Sequence, residues 1–323
     1  MPDQSKEKIV PRRTDWLPEL RAQVAAYFAE KGLPVRSTAP YILAGGKQRW
    51  PLNIIDPEVV AMIRTIRAER RAGGHPFPLH RWIRHGLSSQ ALLFNLIGPV
   101  LLARRWDVFD SILESAGIPL SGHVMDAQLE EEDRSIFNEG RGQPTSVDLY
   151  LQTDQGDTVC AEFKFTENGF GGCSVFDSGD CDGRNPASDF DLCYLHAIGR
   201  TYWLRMQKHG LVTDRLEANS ICPFVTLYQA YRILMFALER GGHFLLIHDE
   251  RNPSFAWTST SIGRGAFTLF YKLLPASAQR RCHRITTQEV VEILERVFPF
   301  PTLEEVKAKY FKEPQDTGRP SQS

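Results

Sequence analysis

The chain has 323 residues, 42% of them hydrophobic and 24% charged, with a formal net charge of −1. That balance is ordinary for a soluble globular protein and excludes a disordered chain, a collagen or a coiled-coil rod. The longest apolar run, from Ala91 to Ala103, is too short to span a bilayer, and six cysteines are too few for a disulfide scaffold.

The opening MPDQSKEKIVPRR is polar and lacks the apolar stretch of a secretory signal, so a reducing cytoplasm is the expected compartment and no membrane partner is expected. Residues 1–12 and 313–323 read as disordered tails. A helix is expected over 16–31, ended by Gly32, and residues 34–54 read as loop. Pro57 opens a second helix with Val59, Val60, Ile63 and Ile66 on one face, closing before Gly73-Gly74. A third helix begins at Ser88-Ser89 and runs past Gln90 and Asn95 to Val100; a fourth covers 106–116. The pattern then changes to strands at 123–132, 145–152 and 158–165, the last two forming a hairpin through Asp154-Gln155-Gly156-Asp157. A Gly/Asp/Ser-rich, cysteine-bearing loop follows over 168–193. Helices at 193–209 and 226–240, a strand at 243–248, and helices at 287–297 and 302–311 complete the chain. This order predicts an α/β fold around a mixed sheet. Residues 13–85 read as a basic helical extension and 86–312 as the core.

Charge is unevenly spread. Residues 1–105 carry 17 Lys/Arg against 8 Asp/Glu, residues 106–200 carry 5 against 19, and residues 201–323 carry 16 against 12. An acidic middle suits divalent cations and a basic flank suits phosphate, although charge blocks also arise as plain solvated surface.

The acidic middle holds the chemically informative residues. Side chains alternate along a strand. In TVCAEFKF, Val159, Ala161, Phe163 and Phe165 share one face, and Cys160, Glu162 and Lys164 the other. In TSVDLYL, Asp148 lies opposite Val147, Leu149 and Leu151. Paired as a hairpin, the strands bury the apolar face and bring Asp148, Glu162 and Lys164 together. Two such carboxylates make a hard-oxygen site for Mg²⁺ or Mn²⁺, and a lysine beside them can orient a water or stabilise developing charge. A solvated Glu-x-Lys on an alternating strand is the plain alternative.

This arrangement resembles the PD-(D/E)XK nuclease superfamily over roughly residues 86–250. The stretches SSQALLFNLIGP (88–99), TSVDLYL (145–151) and EFKFTENGFGGCS (162–174) are similar to a bacterial group resembling restriction endonucleases. The resemblance implies a restriction-endonuclease-like core of helix, three-stranded meander, helix and strand, and Mg²⁺-dependent hydrolysis of DNA phosphodiesters. Asp148 and Glu162 would hold the metal and Lys164 would assist the water. Val147 stands where proline often precedes the first acid. The helix at 88–103 offers no acid, only Gln90 and Asn95, and Glu130, Glu131 or Glu132 are further candidates. The resemblance also implies that Gln229 points into the site, with Tyr231 or Arg232 touching phosphate or lysine; a solvated helical stripe explains the same spacing. A role in bacterial defence and a homodimer with two active sites follow from the resemblance alone.

Cys173, Cys181, Cys193 and Cys222 follow the Glu-x-Lys strand at spacings of 7, 11 and 28 residues. The segment GGCSVFDSGDCDGRN gives its cysteines little to pack against, which makes them candidates for Zn²⁺ or an iron–sulfur cluster, with free thiols or disulfides as alternatives. Residues 64–85 hold six arginines and one acid. Of these Arg67, Arg71, Arg81 and Arg84 suit DNA phosphates, or else a solvated basic helix. The expectation is a metal-dependent deoxyribonuclease. Two other readings stand beside it: a non-catalytic nucleic-acid-binding module, and a metalloprotein whose cysteines are the functional centre.

Overall fold

The computed structural model describes residues 13–75, 77–140, 142, 144–255 and 265–311, and the two expected tails lie outside them. The chain divides into two compact units. Among the described residues, one is 105–293; the other joins 13–104 to 294–311.

The second unit opens with helix α1 (Arg13–Glu30) and a short antiparallel hairpin of β1 (Val35–Arg36) and β2 (Ala39–Leu43), followed by a 3-10 turn at Lys47–Asn53. Expected loop thus contains structure, because these short runs lack the periodicity that marks an element. Helix α2 (Pro57–Ala72) starts where proline is pre-set for a first turn, and the Asp56 side chain accepts the Glu58 N–H. Helix α3 (Ser89–Leu102) is capped by Ser88, which accepts the Ala91 N–H, and is buried without a break from Gln90 to Val100.

The polar residues in that apolar helix serve the unit's own interior. Asn95 donates to the carbonyls of Asn53 and Ala91 and accepts the Ile55 N–H; Gln90 accepts the His80 N–H. Buried amides of this kind must be bonded, and here they fasten irregular chain to a helix. Gly98 lets the same helix approach α2: a Cβ there would fall 2.5 Å from a methyl of Val59.

The first unit starts with α4 (Trp106–Ser115) and the meander β3 (Val124–Glu132), β4 (Ser146–Thr153) and β5 (Thr158–Lys164). Short helices α5 (Ser174–Asp177), α6 (Tyr194–Ala197), α7 (Tyr202–Lys208) and α8 (Asp214–Glu217) lead to the long α9 (Phe224–Glu239) and to β6 (His243–His248). Then come α10 (Ala266–Leu273), α11 (Ala276–Gln279), β7 (Cys282–Thr286) and α12 (Thr287–Val297). The strands form one sheet in the order β3-β4-β5-β6-β7, antiparallel through β5 and parallel beyond it. The fold is therefore α/β with a five-stranded mixed central sheet.

Beyond the loop at 34–54, the sequence expectation and the structure part in further places. The helix expected over 193–209 is broken between α6 and α7, where Gly199 adopts a positive φ of 86°. Strand β7 was not expected, because CHRIT is short and carries no apolar run. All of β5 is buried, so its site-bearing face is covered too: α9 packs on β5 and β6, and its apolar residues join Tyr150, Cys160 and Phe244 in one core. No helix of the described residues is long and apolar enough to cross a membrane.

Helix α13 (Leu303–Tyr310) returns to the second unit. Its Lys309 is fully buried, donates to the Asn53 carbonyl at 2.6 Å and side-chain oxygen at 2.9 Å, and sits against the rings of Tyr27, Phe28 and Tyr310. Burial lowers its pKa to about 7, with Glu305 opposing. The unfolded chain then holds a proton that the folded chain lacks between about 7 and the ordinary lysine value of 10.5. Stability contributed by this site rises with pH across that window. We predict that wild-type protein gains thermal stability relative to Lys309→Met as pH is raised from 7 to 10, by several kcal/mol in all; parallel melting curves across that range would contradict it.

Candidate active site

The strand pairing brings the expected residues together. In the β4–β5 ladder Leu149 lies opposite Ala161 and Tyr150 opposite Cys160, so Asp148 and Glu162 are the next pair in register. The ladder ends there, and the Asp148 side chain takes over: its Oδ2 accepts the Phe163 N–H at 2.8 Å. Asp148 is half-buried, whereas Glu162 and Lys164 are 1% and 6% exposed.

Helix α9 closes the site from the other side. It kinks at Leu227 (φ −121°, ψ 22°), and the N–H groups of Tyr228 and Gln229 donate instead to the carbonyls of Gly171 and Phe170. That anchoring leaves the Gln229 amide facing β5. Its Oε1 accepts from Lys164 Nζ and its Nε2 donates to Glu162 Oε1, both at 2.6 Å. Lys164 Nζ also lies 3.0 Å from Glu162 Oε1. The three side chains form a closed triangle on one carboxylate oxygen. The other, Glu162 Oε2, is buried and receives no hydrogen bond.

The electrostatics follow from this geometry. Burial raises the Asp148 carboxyl to about 6, with Lys164 and the Phe163 N–H pulling it down. Burial also drives Glu162 well above the ordinary carboxyl range, and the neighbouring Asp148 adds to the effect. Burial works against the charge on Lys164, but Glu162, Glu167 and Asp148 outweigh it and the ammonium is held. A pair of carboxyls short of positive charge is the setting that a cation stabilises. The donor set of hard oxygens, with one carboxylate oxygen lacking a partner, fits Mg²⁺ or Mn²⁺. With the side chains as they stand, no group of three or more His, Cys, Asp or Glu among the described residues is set to hold a metal ion.

Further acids surround the pair. Glu130, which has a left-handed backbone (φ 53°), accepts from Ser146 at 2.6 Å and adds its charge to Glu162. Its neighbours turn elsewhere, Glu131 to Arg240 at 3.3 Å and Glu132 to Arg134 at 3.6 Å. Sequence reasoning missed Glu167, whose charge acts on both Asp148 and Lys164 and whose Oε2 accepts the Phe165 N–H. The signal was present in EFKFTE, but lies past the end of the strand, where alternation no longer says which way a side chain points.

Arg232 is not brought to this cluster. Its guanidinium donates to Thr145 and to Glu139, each at 2.8 Å, and lies 4.7 Å over the Tyr228 ring. Glu139 is 1% exposed and also accepts from the Thr145 N–H and the Tyr202 hydroxyl. Tyr231 is buried in the core. In the second unit Arg67 and Arg71, with Arg64, line one concave surface beside Phe77. Arg81 is exposed over the Trp82 ring, and Arg84 donates to the Leu43 carbonyl at 2.7 Å. The four cysteines Cys173, Cys181, Cys193 and Cys222 line a single cavity of the first unit.

Gln229 and Arg232 should therefore separate in a denaturation experiment. Removing Arg232 strips a buried carboxylate of its cation and is expected to cost about 3–5 kcal/mol of stability. Gln229→Ala leaves Lys164 paired with Glu162 and should cost about 1 kcal/mol. Urea unfolding of the two variants checks this, and an Arg232→Ala protein as stable as wild type would contradict the assignment.

No curated protein and no solved structure matches the chain significantly. One protein family does, over residues 22–312: the family described as Restriction Endonuclease associating with ARP. The matched span takes in Asp148, Glu162, Lys164 and Gln229 and covers nearly all of the sequence, and the chain accordingly belongs to that restriction endonuclease family.

Proposed function

We propose that this protein is a metal-dependent deoxyribonuclease of restriction type, built on the PD-(D/E)XK plan. The observation that carries this reading is the convergence of Asp148, Glu162 and Lys164 at the end of a hairpin, with Gln229 locking the last two. A Glu-x-Lys on a solvated strand would have no reason to be buried and bridged in this way.

In this reading Asp148 and Glu162 would hold Mg²⁺ or Mn²⁺, Glu162 having one buried oxygen, Oε2, that accepts no hydrogen bond. The cation would lower the pKa of a water and offset charge on a phosphoryl oxygen. Gln229 keeps the Lys164 ammonium aimed at the site, since its Oε1 accepts from Nζ and its Nε2 pins Glu162 Oε1. Lys164, kept protonated by the surrounding carboxylates, stabilises negative charge or orients the attacking water. Arg67, Arg71, Arg81 and Arg84 contact DNA phosphates, Arg67 and Arg71 from the concave surface they share. Arg232 supports the site by holding helix α9 to Thr145 and Glu139. A cytoplasmic homodimer acting in bacterial defence completes the proposal, because cutting both strands of a duplex is served by two active sites.

The test is cleavage of supercoiled and linear plasmid by purified protein with Mg²⁺ or Mn²⁺. We expect nicking or linearisation of the circle, abolished by EDTA and reduced roughly 100-fold or more by Lys164→Ala. Cleavage that survives both controls would overturn the assignment; DNA binding without cleavage would favour a non-catalytic binding module. In a separate binding assay, Arg67→Ala and Arg71→Ala should weaken DNA affinity for all sequences alike. Each should lower the slope of log affinity against log salt by about 1. An unchanged slope would remove these arginines from the interface.

A further inference from the structure

The first unit contains a second group of chemistry-bearing side chains, outside the Asp148 site. Cys173 and Cys222 are nearly buried, Cys181 and Cys193 half-buried, and none is in a disulfide. They come from four places in an irregular segment: just before α5, in the loop after it, just before α6, and two residues before α9. Nevertheless all four line the same cavity.

Three of the four sulfurs share a local geometry. The Gly183 N–H donates to Cys181 Sγ at 3.4 Å. Burial raises the Cys173 and Cys222 thiols, and the nearby amides of Val175 and Phe176 at Cys173, and of Phe224 at Cys222, oppose it. Each cysteine thus receives the amide two residues ahead of it. A neutral thiol is a poor acceptor, so these amides, unlike the burial, favour a metal-bound thiolate. The backbone also stitches these turns together. Cys173 N–H donates to the Phe224 carbonyl and Cys222 N–H to the Gly183 carbonyl, each at 2.8 Å. Gly183 makes the turn with φ +75°, and a Cβ there would fall 2.7 Å from the Phe176 ring.

We propose that Cys173, Cys181, Cys193 and Cys222 form a structural zinc site, independent of the chemistry at Asp148. Rotation of the side chains closes the four sulfurs around one Zn²⁺. Four S–H bonds give up their protons to solvent and four Zn–S bonds form, leaving a tetrahedral tetrathiolate of net charge −2 with no open position. The cavity they line measures about 20 Å³, room for roughly one water-sized guest as the side chains stand. The segment gains from such a crosslink. Between β5 and α9 it contains only helices of three to seven residues, and long irregular stretches need a tie of this kind.

The test is metal analysis of the full-length protein purified without chelator. We expect about one zinc per chain and no iron. After zinc removal, Co²⁺ alone should give the near-ultraviolet thiolate-to-cobalt absorption. Cys181→Ser and Cys193→Ser, at the two more exposed positions, should each lose the zinc, whereas Cys282→Ala should keep it. A folded wild-type protein with no zinc and four freely titrating thiols would overturn the proposal. So would iron with visible absorption, or zinc retained in both serine variants. The readout is bound metal, so an inactive nuclease would leave it intact.

Discussion

A carboxylate and an ammonium buried on the same strand need a partner that can meet both, and in this protein the Gln229 amide does so. It accepts from Lys164 and donates to Glu162, so a neutral side chain fixes the orientation of two ionisable ones. Much of the first unit is arranged around that contact. Helix α9 must break at Leu227 so that the amide can be aimed, and the loop after β5 must return to supply the Phe170 and Gly171 carbonyls that hold the restarted turn. Arg232, one turn further along, ties the same helix to Glu139 and Thr145 at the head of β4.

The alternation of two short strands was enough to put Asp148, Glu162 and Lys164 on one face, because strand parity is a local property. The order of helices and strands was legible for the same reason wherever apolar periodicity was strong. Arg232 shows where local reading ends. Its spacing from Gln229 places both on one side of a helix, but its bond to Glu139 depends on chain 93 residues away. Strand β7 was invisible because its identity comes from pairing with β6 and not from its own composition. The cysteines lie between these cases: poor packing partners marked two of them, and only the folded chain shows that all four share a cavity.

In the second unit, polar side chains do what apolar packing alone cannot. Asn53 donates to the Ile83 and His85 carbonyls while its own carbonyl receives Asn95 and Lys309. Irregular chain at 53–55 and 83–85, the buried helix α3 and the last helix α13 are thereby joined through one asparagine. The apolar run at 91–103 is interrupted by Asn95 because that position is a junction.

Strand β5 is the line at which the sheet changes from antiparallel to parallel. Its two neighbours are recruited differently: β4 by a four-residue turn, β6 only after a long excursion through the cysteine segment and α9. The carboxylate pair is written entirely into the tight hairpin, whereas the residue that locks it arrives from the excursion. Length and sequence between β5 and α9 can therefore drift without altering the spacing of Asp148, Glu162 and Lys164. An insertion inside a paired stretch, between Asp148 and Gln152 or between Thr158 and Glu162, would turn one of its acids to the opposite face. The two halves of the site are consequently under unequal freedom to diverge.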